Sequence, residues 1–389
     1  MHSLLDRGTP IDAVLFSKGQ VAPAATHRHL ARKTPPMLPA PVSTIAPSTA
    51  TGRPIRWGVV ATGSIAARVV HDLALLDDAV LQAVSSRTEA SARAFGLRFG
   101  FASAYFDGEG STGYERLLAD PAVDVVYIAT PHAQHHAVAL AALAAGKHVL
   151  CEKPLAMDAG QAAELAVLAA ERGLFLMEAV WTRFLPSFRR ASTILRSGEI
   201  GQPRWLQADL GFAPPFDPAS RTWDPAAGGG ALLNLAVYPL TWALAALGKP
   251  SSVSAQGLLT PEGIDLQNAL TLSYSSGAHA QLTTSIGAHC PSVVTISGTD
   301  GWLRSSGPLF NPGELVIQPR QGTLRTERFE VFGNGFSYEL REVTRCLQEG
   351  LTESPFMTPS ESVRMMELLD EARRQMGLRY PSDSDPVPA

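Results

Sequence analysis

The chain has little charge of either sign and little cysteine, and each shortage narrows what it can do. Of its 389 residues, 32 are Lys or Arg and 36 are Asp or Glu, a formal net charge of −4. No basic surplus exists to neutralise a phosphate backbone, so no nucleic-acid partner is expected. The three cysteines, Cys151, Cys290 and Cys346, are odd in number and widely spaced. That excludes a disulfide framework and a zinc pattern, and a reducing, cytoplasmic setting is the expectation. The N-terminal stretch lacks the apolar core of a signal peptide and a twin-arginine pair. One long apolar run, Ala231 to Gly248, is about long enough to span a bilayer, but it contains Asn234, Tyr238 and Pro239 and lacks flanking basic anchors. It is predicted to be a buried helix, with no membrane partner.

What is present is a large apolar fraction, 45% of the residues, enough for a sizeable core. Residues 1–53 stand apart. Thr34 to Pro54 is rich in Pro, Ala, Ser and Thr without helical or strand period, which predicts a disordered or extended arm. From residue 54 to 178 short apolar runs alternate with helical stretches. Strands are expected at Ile55–Val60, Val80–Ser85, Val123–Ala129, His148–Cys151 and Leu174–Met177. Helices are expected at Ile65–Leu76, Thr88–Phe99 and His135–Ala145. A further helix runs from an Asp158 cap, with Gln161 completing a capping box, to Gly173. Repeated βα units predict an N-terminal Rossmann domain with a doubly wound parallel sheet, an α/β fold. From 179 to 389 the texture changes. Arg204–Phe212, Val253–Leu259, Ala269–Tyr274, Ala280–Ile286 and Val293–Ser297 read as strands with few helices between them. A C-terminal α+β domain is expected, with a large, mainly antiparallel open sheet covered by helices on one face. It closes with helices at Tyr338–Gln348 and Pro359–Met376, the last capped by Thr358 and Glu361. Such a sheet, with too few helices for its outer face, points to a homodimer or higher homo-oligomer.

The turn after the first strand, Ala61-Thr62-Gly63-Ser64-Ile65-Ala66, holds the place of a dinucleotide fingerprint. Gly63 would let backbone approach a pyrophosphate, and the amides of Ser64 and Ile65 would face it. Ala61 and Ala66 replace two of the motif's glycines. After the second strand come Ser85-Ser86-Arg87-Thr88, with no carboxylate to hold ribose hydroxyls or repel a 2′-phosphate. Arg87 can pair with such a phosphate, so NADP is expected over NAD, with Ser86 and Thr88 beside it.

Two further stretches are diagnostic. One is Ala129-Thr130-Pro131-His132 with His135; the other is Ala145-Gly146-Lys147-His148-Val149-Leu150-Cys151-Glu152-Lys153-Pro154. They resemble the glucose–fructose oxidoreductase / inositol dehydrogenase / MocA family. The likeness spans about Arg56 to the C-terminal helix. Met177 to Phe184, Gly229 to Leu233 and Asn334 to Glu339 resemble the markers of its dimeric dihydrodiol dehydrogenase and NADP-linked D-xylose 1-dehydrogenase subgroup. The resemblance implies an NADP-dependent oxidoreductase acting on a sugar or cyclic vicinal diol, with Lys153 and Tyr238 as the catalytic pair. A non-catalytic NADP-binding sensor or assembly protein, or a related anhydrosugar reductase, would share the fold.

Oxidising an alcohol needs a hydride acceptor over the carbon and a base for the hydroxyl proton. A tyrosine near its ordinary pKa of about 10 is a poor base, and an adjacent ammonium favours the phenolate. On this reading Tyr238 takes the proton and Lys153 supports it, although Tyr238 also suits a core tyrosine. Asn234, four residues earlier, would share its helix face and bind substrate. The family usually has Asp there, which leaves the substrate open. Trp181 reads equally as substrate wall or core packing, and Arg183 is a further candidate for the substrate. Thr130, His132, His135 and Glu152 are expected along the cofactor. No carboxylate or thiolate pattern accompanies the histidines, so no metal is expected.

Overall fold

The computed structural model describes residues 46–383, so the expected arm lies outside the described residues as far as residue 45. Residues 46–53 are not a free arm. Arg341 donates to the carbonyls of Pro47 and Ser48, and the Thr51 N–H donates to Asp78 at 2.8 Å. The cause is the burial of Asp78, whose carboxylate needs partners. Burial alone would raise that carboxyl, but Arg341, Thr51 and Gln348 together hold it down to about 2.

Six parallel strands form the first sheet: β1 (Ile55–Val60), β2 (Ala79–Ser86), β3 (Ser103–Phe106), β4 (Val125–Ile128), β5 (His148–Glu152) and β6 (Leu176–Ala179). Their order is β3-β2-β1-β4-β5-β6. The crossovers are α1 (Ser64–Leu73), α2 (Glu89–Phe99), α3 (Gly113–Leu118), α4 (His132–Ala144) and α5 (Ala159–Arg172). Helices cover both faces, so β4 is buried throughout, as its unbroken apolar run requires. The strand order reverses between β1 and β4, and the crevice at their carboxyl ends is where open α/β sheets bind ligands. At the start of α5, Asp158 accepts from the Gln161 N–H, but the Gln161 side chain bonds Met157 instead of Asp158. The expected capping box is therefore only half formed.

The second sheet contains β7 (Pro203–Gly211), β8 (Ser252–Leu259), β9 (Asp265–Ser273), β10 (His279–Ser285), β11 (Val294–Gly298), β12 (Gly301–Ser305), β13 (Glu314–Pro319) and β14 (Arg325–Arg328). Its order is β14-β13-β12-β11-β7-β10-β9-β8, antiparallel except where β7 meets β10. Along β9 and β10 buried and exposed residues alternate, so one face is packed and the other open. The remaining helices are α6 (Pro186–Ser197), α7 (Val237–Leu247), α8 (Ser337–Gln348) and α9 (Pro359–Met376). The apolar run expected as a buried helix falls in the stretch Pro225–Leu247, whose most apolar 18-residue window is 78% buried, and ends at Gly248 just beyond it. It begins with a π-helical turn, Leu232–Ala236, before α7. The last helices turn back to the first sheet. Asp72, fully buried in α1, accepts from the backbone N–H groups of Asn334, Phe336 and Ser337, and this sets Phe336 beside the crevice.

Candidate active site

A cavity of about 130 Å³ opens at the crevice, lined by Ile65, Thr130, Glu152, Lys153, Trp181, Arg221, Tyr238 and Phe336. Chain segments far apart in sequence meet there, and six of the eight are residues the sequence singles out. A larger depression of about 640 Å³ lies on the second sheet, along Asp209, Gln267, Thr283 and Cys290, away from Lys153 and Tyr238.

The cofactor end is built from the strand ends. Thr62 after β1 and Ser86 on β2 meet through their hydroxyls at 3.1 Å. Gly63 precedes α1 without a side-chain cap, and a Cβ there would meet nothing within 4 Å. The first-turn amides, from exposed Ser64 and from Ile65 onward, thus face open space, which fits an approaching pyrophosphate. Ala61 stands at the fingerprint's first glycine position with φ +88, where an L residue is strained. Arg87 is exposed, and among the described residues it forms no hydrogen bond or ion pair. Thr88 is otherwise engaged: its hydroxyl caps α2 by accepting from the Ser91 N–H. The Thr130 hydroxyl, buried on the cavity wall, has no partner among the described residues and is available to a ligand. Among the described residues no three His, Cys, Asp or Glu side chains gather to hold a metal.

His135 ties the walls together, with Nδ1 2.7 Å from the Pro154 carbonyl and Nε2 2.9 Å from that of Thr130. Burial pushes it down to about 4 despite both carbonyls, and a neutral ring donates to only one of the two. His132 begins α4, three residues earlier than expected, and its Nδ1 lies 3.2 Å from the Gly228 carbonyl. Glu152 accepts from the Tyr127 hydroxyl at 2.6 Å and from the Lys153 N–H. Burial raises its carboxyl above the ordinary range.

The Lys153 ammonium donates to the Asn234 backbone carbonyl at 2.6 Å and lies 4.7 Å from the centre of the Tyr238 ring. Burial pushes it down to about 8; Glu152 opposes this and Arg221 adds to it. The Tyr238 hydroxyl accepts from Trp181 Nε1 at 3.3 Å. Burial, reinforced by Glu152, raises that phenol well above the ordinary tyrosine range. The expected lowering of Tyr238 by Lys153 therefore does not appear: burial sets the direction, with the ammonium 4.7 Å from the ring centre. Trp181, only 5% exposed, does both jobs open to it: it lines the cavity and packs against Phe336 at 4.4 Å.

Two expected substrate residues are not on the cavity. Arg183 points away and pairs with Glu361 at the start of α9 at 2.8 Å. The Asn234 amide donates to the Gly230 carbonyl, and only its backbone oxygen reaches the site, through Lys153. The π turn is the reason: it breaks the α-helical spacing that would put Asn234 and Tyr238 on one face. Sequence reasoning missed Arg221 and Phe336. Phe336 sits inside a stretch already singled out, Asn334 to Glu339, whereas Arg221 has only its nearness to the glycine run as a signal.

A parallel sheet with an uncapped, glycine-led helix start beside a lysine–tyrosine cavity defines a dinucleotide-binding oxidoreductase. A family model described as "Oxidoreductase family, NAD-binding Rossmann fold" matches residues 55–180, and the "GFO/IDH/MocA C-terminal domain" matches residues 188–304. The chain belongs to the Gfo/Idh/MocA family, and it is an NAD(P)-dependent oxidoreductase acting on CH–OH groups. It is similar to trans-1,2-dihydrobenzene-1,2-diol dehydrogenase of Sus scrofa, 37% identical over 339 residues, covering 85% of this chain and 99% of that protein. The Homo sapiens enzyme of the same name is 35% identical with the same coverage. Among solved structures, it resembles a 3-ketoreductase from Actinomadura kijaniata in complex with NADP and TDP-benzene. That match has 29% identity and a TM-score of 0.73, covering 83% of this chain and 98% of the other.

Proposed function

We propose that the chain moves a hydride between NADP and a sugar or cyclic vicinal diol held at the Lys153–Tyr238 cavity. The observation that carries this is the convergence of Lys153, Tyr238 and Trp181 on one cavity at the carboxyl ends of β1 and β4. Arg87, unengaged at the end of β2, supports the phosphorylated cofactor, since a guanidinium pairs with a phosphate bidentately.

Bound at this crevice, the nicotinamide supplies the acceptor or donor for the hydride. The protein handles the proton. In oxidation the hydroxyl gives its proton to neutral Lys153, which is accessible near neutral pH because the amine is held near 8. In reduction the ammonium returns it. Tyr238 keeps its own proton and donates a hydrogen bond to the reacting oxygen. This differs from the roles expected from sequence, and it rests on burial, which raises the Tyr238 phenol and lowers the Lys153 amine. Trp181 and Phe336 form the apolar wall that excludes water. Thr62, Gly63, Ser64, Ile65, Ser86, Arg87, Thr130, His132, His135 and Glu152 line or brace the cofactor's path. The open face of the second sheet is where a second copy binds, making a homodimer. A screen of aldoses, inositols and vicinal diols against NADP and NAD, read at the reduced-nicotinamide absorbance, tests the reading. No turnover with any of them would sink it.

A further inference from the structure

Arg221 shares the cavity with Lys153, and among the described residues it forms no hydrogen bond or ion pair. Its place is not accidental. The segment 212–224, between β7 and a short helical turn at Pro225–Ala227, has no regular structure of its own. The Gly230 N–H donates to the Thr222 carbonyl at 3.0 Å, and Trp223 Nε1 donates to the Pro215 carbonyl at 3.1 Å. A Cβ on Gly229 would lie 2.7 Å from the Thr222 oxygen and 2.8 Å from those of Arg221 and Asp224. Only glycine lets this segment come so close, so the glycine run before the Tyr238 helix also sets the backbone of Arg221.

The charges around the cavity do not cancel. Lys153 and Arg221 border it on the cationic side and Glu152 on the anionic side. Glu152 is already engaged by Tyr127 and by the Lys153 N–H. Lys153 spends a donor on the Asn234 carbonyl. Arg221 therefore brings a fork of five N–H donors to the cavity with no protein acceptor to meet it.

We infer that Arg221 anchors the substrate by the oxygen on the carbon next to the reacting one, which makes a neighbouring oxygen a requirement of this site. The inference rests on reading the Lys153–Tyr238 cavity as the place of hydride transfer. Lys153 and Tyr238 hold the reacting oxygen, and Arg221 holds its neighbour, so a 1,2-diol or 2-hydroxy sugar is fixed at two points.

The test uses the full chain, its Arg221→Ala and Arg221→Lys variants, and two substrate pairs: trans-cyclohexane-1,2-diol with cyclohexanol, and D-ribose with 2-deoxy-D-ribose. Binding is followed by quenching of tryptophan fluorescence, since Trp181 lines the cavity. For the diol and ribose, Arg221→Ala lowers kcat/KM by about 10–100-fold, mostly through KM. Assayed above the Lys153 midpoint of each protein, so that the lost Arg221 charge does not act through the lysine, the change for cyclohexanol and deoxyribose stays within about threefold. Arg221→Lys recovers part of the loss, and NADP affinity is unchanged in both variants. Equal losses on both members of each pair, or weakened NADP binding, overturns the assignment. If the wild type turns over none of these compounds yet binds the diol in an Arg221-dependent way, the anchoring stands and the hydride reading fails. Diol binding that is equal in wild type and Arg221→Ala sinks the anchoring itself.

Discussion

Replacing Lys153 with Met and Tyr238 with Phe, and following both reaction directions from about pH 6 to 10, separates the two ways of assigning the proton. With Lys153 held near 8, roughly one lysine in eleven is neutral at pH 7, against about one in three thousand at the ordinary value of 10.5. That is a gain on the order of 300-fold in available base. The sign differs by direction. Oxidation needs the neutral amine, so kcat/KM rises about tenfold per pH unit below 8 and then levels off. Reduction needs the ammonium, so its rate holds below 8 and falls above it. Lys153→Met removes the proton carrier, costs about 10²–10⁴-fold, and erases the pH midpoint. Tyr238→Phe removes one hydrogen bond to a developing alkoxide, about 1.5–3 kcal/mol, or roughly 10–150-fold, and leaves the midpoint in place. Circular dichroism and NADP titration check that both variants fold and bind cofactor. If Tyr238→Phe loses more than about 10³-fold together with its midpoint while Lys153→Met keeps one, the proton belongs to Tyr238 and the reasoning fails.

Arg87→Ala should raise the KM for NADP more than about tenfold while leaving NAD little changed; equal weakening of both would show that Arg87 does not read the 2′-phosphate. Asp265 is fully buried and pushed up by burial to about 7. Its folded form holds the proton more tightly than the unfolded chain, so its contribution to stability falls as pH rises from about 4 through 7. Asp265→Asn still accepts from the Leu232 N–H and lacks that slope. Urea unfolding at both ends of the window should therefore show the gap moving in favour of the variant by on the order of a few kcal/mol, and parallel curves would refute this. Light scattering at micromolar concentration should give twice the chain mass of 41.4 kDa, about 83 kDa; a species of single-chain mass would rule out the dimer.

The first sheet is almost entirely readable from sequence because its signals are local. Val125–Ile128 is an unbroken apolar run because both faces of β4 are covered, and α9 spans Pro359–Met376 as expected because Thr358, Pro359 and Glu361 mark its start chemically. What escapes is short or depends on distant partners. β3 is four residues of Ser, Ala, Tyr and Phe, all only partly buried, too short to mark itself by alternation or by a long apolar run. β12 to β14 pair only with strands whose positions depend on the rest of the sheet, and β14, Arg325–Arg328, carries no apolar residue at all. Residues 46–53 read as an arm because composition cannot reveal that Asp78, on the loop before β2, needs Thr51 beside Arg341.

The helix that carries Tyr238 shows the same limit at the site itself. Read as an α-helix, Asn234 and Tyr238 fall on one face. The π turn at Leu232–Ala236 changes that, and its clearest mark in the sequence lies beyond it. A π turn pairs a carbonyl with the N–H five residues on, and for Asn234 that residue is Pro239, which has no N–H. The Asn234 carbonyl accepts from Lys153 at 2.6 Å. The lysine is thus held by a main-chain oxygen that any residue at position 234 would supply. Asparagine in place of the aspartate that the resemblance leads one to expect therefore leaves this contact intact. What it withholds is a negative charge on the residue that grips the ammonium. Such a charge would raise Lys153 toward its ordinary value, and without it burial, with Arg221 adding, holds the amine near 8, where the proposed proton transfer can run either way.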